Sequence, residues 1–158
     1  MTPNSKIVKI WLPIALLAVI GVAKFATVFM TLATIAYFSL VTGLLLRKSR
    51  IIHARLMRFG ILLDISIVLL LQIQRHAVQT ALKFSLSPLQ QAHIGASLVA
   101  TLLYFPILYL GWTLLKNPRR SKELRPLHIR LGVTAFIFRS AGFLLMFSLL
   151  MAKKISEN

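Results

Sequence analysis

The sequence predicts an all-α membrane protein, a bundle of four core transmembrane helices with a short fifth at the N-terminus. Three observations predict it. Of 158 residues, 58% are apolar and only 14% charged, too little polar surface to clothe a particle in water. The runs from Phe25 to Leu46 and from Ile94 to Leu115 are apolar and uncharged. Each is long enough to cross a hydrocarbon layer about 30 Å thick at about 1.5 Å per residue. The strict alternation of a membrane barrel is missing. Backbone in hydrocarbon must satisfy its own amides, so these runs are helices. The length suits one transmembrane domain and leaves no room for a second globular one.

The apolar stretch from Ile10 to Leu46 comes first. As one straight helix it would be about 55 Å long, too much for one crossing. Gly21 and Lys24 interrupt it, which divides it into a short span near 8–23 and a full one at 25–46. A competing reading makes the first part a cleaved signal peptide, with Lys6 and Lys9 before an apolar Ile10–Ile20 core. The retained helix is the better fit, because Gly-Val-Ala at 21–23 matches a small-residue cleavage site only loosely. A third span covers 51–75. In the loop that follows, Val78, Leu82, Leu86 and Leu89, with Phe84, form either a short apolar face in the interface or an ordinary ordered loop. Ser87-Pro88 then reads as a helix start, and spans follow at 93–116 and 128–151.

Net charge is +16. The cations sit at the ends of apolar runs, where they report orientation and contact with anionic lipid. Nucleic acid is excluded as a partner, since no basic patch with interleaved aromatics stands outside the helices. Arg47, Lys48, Arg50, Arg55 and Arg58 form one basic cluster; Lys116, Arg119, Arg120, Lys122, Arg125 and Arg130 form another. The basic loops 47–50 and 116–127 therefore face the cytoplasm, and the loop with only Arg75 and Lys83 faces away. Lys153 and Lys154 fall on the outer side, against the trend. The absence of cysteine removes disulfides, thiolate metal sites and covalent c-type haem.

All four histidines fall at the ends of these spans. His53 opens one and His76 closes it; His93 and His128 open the next two. Two histidines thus stand at each membrane face, each pair drawn from two helices, the layout with which a bundle holds haem or a metal. A single histidine at a helix end needs no metal to explain it, but four in a paired arrangement favour ligation. Met57 follows His53 by one turn, a spacing that suits copper(I), although an ordinary core methionine is its commoner meaning. Asp64 and Arg139 lie deep in their spans, each 11 residues after a histidine and so on nearly the same helix face. Running in the same direction, their helices bring both charges to equal depth, and an intramembrane ion pair that locks the register is expected. In function, Arg139 would hold a haem propionate or a substrate anion and Asp64 would relay protons. With Asp64, Glu123 and Glu157 as the only acids, acid–base catalysis finds no carboxylate pair. No Gly-rich phosphate loop and no zinc-protease motif is present.

In order and spacing, His53-Ala54-Arg55-Leu56-Met57, Gln74-Arg75-His76, His93 and Leu127-His128-Ile129-Arg130 resemble the YozB/CtaM-like family of small bacterial membrane proteins. The likeness covers roughly residues 25–151. What it implies is a four-histidine core that binds haem or copper, with His53, His76, His93 and His128 in the family's histidine positions. It also implies an accessory role in maturation of haem–copper cytochrome oxidase, beside an oxidase subunit in the bacterial cytoplasmic (inner) membrane. Gly142 matches a glycine near the end of the family's last helix. Asp64 and Arg139 depart from its apolar, aromatic or small mid-helix positions.

Three functions follow as expectations. The first is a haem- or copper-binding assembly factor without autonomous catalysis. The second is a small dihaem b-type electron carrier. In the third, a cofactor-free structural subunit, the histidines cap helices. Ligands at helix ends would make shallow sites, which suits transient cofactor handling and ranks the assembly role first.

Overall fold

The fold is that of a computed structural model, which describes residues 3–75, 86–117 and 121–156. Its elements are α1 (Pro3–Phe25), α2 (Val28–Leu45), α3 (Arg50–Arg75), α4 (Pro88–Lys116) and α5 (Ser121–Ser156). No strand occurs among the described residues. Every helix holds a window long and apolar enough to cross a membrane, so the all-α membrane class stands.

α2 begins at Val28 rather than 25, because the break falls at Ala26-Thr27, with Thr27 as the cap, and not at Gly21 and Lys24; the other helices outrun the spans drawn from hydropathy. α4 begins at Pro88 rather than 93, and α5 at Ser121 rather than 128. His93 and His128 therefore lie about 8 Å and 10 Å inside their helices, not at the openings. The physical reason is that hydropathy marks where lipid begins, whereas a helix begins at its cap. The Ser87 hydroxyl accepts from the Gln90 amide at 3.4 Å while the Gln90 side-chain oxygen accepts from the Ser87 amide at 3.0 Å. Pro88 takes the first helical position, where its missing N–H costs nothing. The expected Ser87-Pro88 start is thus observed. In α5, Lys122-Glu123-Leu124-Arg125 are good helix formers and carry the helix beyond the apolar run. Val78, Leu82 and Phe84 lie outside the described residues.

The chain packs as two compact units, residues 1–68 and 69–158. In the first, Thr27 caps α2 by accepting from the Met30 amide at 3.4 Å. Trp11 of α1 donates its indole N–H to the Thr42 hydroxyl at 3.1 Å and meets Phe38 edge-on, 5.4 Å between ring centres. Away from that contact, α1 exposes Ile10, Leu17 and Phe25, a surface suited to lipid. α2 meets α3 through small residues. A Cβ added at Gly60 would stand 3.0 Å from the Ala36 carbonyl oxygen and 2.9 Å from Leu40 Cδ2. Without side chains between them the backbones approach closely, which is how helices pack when lipid removes the hydrophobic drive. The Ser39 hydroxyl adds a hydrogen bond to the Leu56 carbonyl at 3.0 Å.

In the second unit α4 and α5 form one antiparallel seam, and two contacts set its register. A Cβ at Gly111 would meet Cε1 of His128 at 3.4 Å, and one at Gly142 would meet the Ser97 Oγ at 2.7 Å. Between these contacts Ala100 and Tyr104 of α4 and Ala135 and Arg139 of α5 are all buried, small and large residues together along the seam.

Candidate functional site

His53 reaches from α3 to the last turn of α2, where its Nδ1 lies 2.8 Å from the Gly43 carbonyl oxygen. The final carbonyls of a helix have no amide one turn ahead. The Arg47 amide, next in line for Gly43, bonds instead to Leu44 at 3.2 Å. His53 supplies the donor that α2 lacks. A carbonyl can only accept, so Nδ1 carries a proton, and in the neutral ring Nε2 keeps its lone pair. Met57 stands on the same face, as its spacing predicts. A Cβ at Gly43 would come within 2.9 Å of the Met57 Sδ, so the thioether packs on the same glycine that His53 bonds.

His93 makes the matching contact in the second unit, with Nδ1 2.8 Å from the Gly142 carbonyl oxygen. Gly142 is interior to α5. Its carbonyl has a second lone pair beyond the helical bond, and the imidazole proton uses it. The ring again has its proton on Nδ1. Arg139 lies one turn before Gly142 on α5. His128 lays its ring over Gly111, with Cε1 3.4 Å and Nδ1 4.0 Å from where a Cβ would be. His76 lies outside the described residues.

Asp64 and Arg139 are each only 5% exposed, which keeps both charges away from lipid, where they would be costly. Asp64 belongs to the first unit and Arg139 to the second. Among the described residues no three histidine or carboxylate side chains converge as a metal cage would need. The structure brings His53 and Met57 together on Gly43 and sets His93 on Gly142, one turn along α5 from Arg139.

Sequence reasoning missed Gly43, whose carbonyl meets His53, Gly111 beneath the His128 ring, and the hydroxyl of Ser97 against Gly142. The available signal was weak. Glycine in an apolar span hints at close approach, yet Gly95 and Gly132 have the same look and nothing within 4 Å of an added Cβ. No protein-family model, characterised protein or solved structure matches the chain.

Proposed function

We propose that the chain is a membrane-embedded accessory protein that holds haem, or alternatively copper, through its histidines and assists cytochrome oxidase maturation in the bacterial cytoplasmic membrane. One observation carries the cofactor part. His53 and His93 both give the Nδ1 proton to a backbone carbonyl at 2.8 Å, the support that orients ligating histidines and leaves Nε2 to coordinate. His76 and His128 would complete the ligand set. Met57 beside His53 would serve copper(I), and Arg139 beside His93 would pair with a haem propionate. Bound haem or copper would supply one-electron chemistry and a cargo for delivery. The oxidase role follows from the resemblance in histidine order.

The same contacts favour a second reading, a cofactor-free structural subunit, because His53 already has a reason to be there as the cap of α2. Substitution by asparagine separates the two. An asparagine amide places an N–H near the position of Nδ1 and removes Nε2. Absorption spectra of the gently purified protein, oxidised and reduced, with metal analysis, are expected to show haem or stoichiometric copper. His53→Asn and His93→Asn should lose it while keeping the wild-type unfolding midpoint. A wild-type protein that takes up neither haem nor copper when both are offered overturns the cofactor reading and leaves the structural one. Reversibly reducible bis-histidine haem retained through purification would instead make the protein a b-type electron carrier.

A further inference from the structure

We infer that the basic start of α5 is a binding site for an anionic phospholipid, with its phosphate held by Lys122, Arg125 and Arg130. The inference is independent of the cofactor reading. α5 has 36 residues and is therefore about 54 Å long, against about 30 Å of hydrocarbon. Cations are costly in hydrocarbon, which assigns its basic first turns to headgroup depth. There Lys122, Arg125, Pro126, Ile129 and Arg130 line a shallow hollow of about 410 Å³. The steps between them run i, i+3, i+4, i+7, i+8, so they share one helix face. All five side chains are exposed.

The same face changes character along the helix. Ile129, Val133 and Ile137 continue it towards the apolar layer, 50%, 53% and 61% exposed. Three long cationic side chains thus stand above an apolar strip on one surface. The complementary ligand has a phosphate at one end and an acyl chain at the other. Two guanidinium groups and one ammonium offer charge-assisted donors to phosphate oxygens, while Ile129 and Val133 offer contact to the first methylenes. A soluble anion would leave the strip unused, and a nucleic acid has nothing to place on it. Glu123 stands at the edge of this face and lowers its net charge by one without breaking the row.

The full chain in detergent, equilibrated with equal phosphatidylglycerol and phosphatidylcholine, tests this by native mass spectrometry of the retained lipid. Phosphatidylglycerol should be retained selectively. K122Q/R125Q/R130Q should weaken its retention about fivefold per cation removed, with phosphatidylcholine unaffected. R47Q/K48Q/R50Q removes the same charge from the other basic cluster and should retain the lipid as wild type does. These side chains need not be buried for folding, and an unchanged unfolding midpoint verifies that. Equal loss in both triple variants would overturn the site in favour of diffuse attraction. Displacement of the lipid by millimolar inorganic phosphate would overturn it in favour of a free-anion site. Unselective retention of both lipids would also overturn it.

Discussion

His53 and His93 make the same 2.8 Å contact for different reasons, and substitution should tell them apart. The Gly43 carbonyl at the end of α2 depends on His53 for its donor, whereas Gly142 sits inside a continuous helix. His53→Ala is therefore expected to cost about 1–3 kcal/mol, the penalty of a buried polar group left unsatisfied. His93→Ala should cost roughly 1 kcal/mol, the net worth of one hydrogen bond. Equilibrium unfolding in mixed detergent measures both, and equal losses would remove the capping role from His53. At this scale the sequence singled out the histidines, since histidine is rare here and its positions stand out. It could not show which ring nitrogen is engaged. That depends on a carbonyl ten residues away in one case and 49 in the other.

The glycines belong to the scale of the helix. Gly60 faces the Ala36 backbone carbonyl, whereas Gly43 faces the flexible end of Met57 and Gly132 faces open space. Gly60→Ala should destabilise by about 1–3 kcal/mol, because neither backbone can yield without separating α2 from α3. Gly43→Ala should cost less, since the thioether can swing aside and only the Leu56 Cβ, 3.3 Å away, must give by a few tenths of an ångström. Gly132→Ala and Gly95→Ala should stabilise by roughly 0.5–1 kcal/mol, through the entropy of the unfolded chain and helix propensity. The same unfolding titration ranks all four, and a Gly60→Ala protein as stable as Gly132→Ala would dismiss the close seam. Helix existence was legible from apolar runs, and the start of α4 from Ser87-Pro88. The start of α5 was not legible, because lysine, glutamate and arginine extend a helix without extending its apolar run. The glycine seams were equally hidden, since one residue type occurs at both packed and open positions.

For the molecule as a whole, a net charge of +16 is concentrated at helix ends, the pattern that predicts its orientation. With no native cysteine, single introduced cysteines report sidedness without background. Lys48→Cys and Asn117→Cys should resist a membrane-impermeant maleimide applied to intact cells, and Ser87→Cys should react. The opposite pattern would invert the orientation drawn from the basic loops.

By itself the sequence determined the class of the protein, the number of apolar spans and the segregation of its charges. These depend on the transfer of segments between water and hydrocarbon, a quantity that is nearly additive along the chain. Only tertiary structure decided that His53 completes the end of α2, that His93 bonds an interior carbonyl of α5, and that Gly60 is a contact while Gly132 is a gap. Spacing assigns a residue to a helix face, but the rotation and depth of the neighbouring helix decide what that face meets. Those are set by the packing of small against large side chains, which no single segment contains.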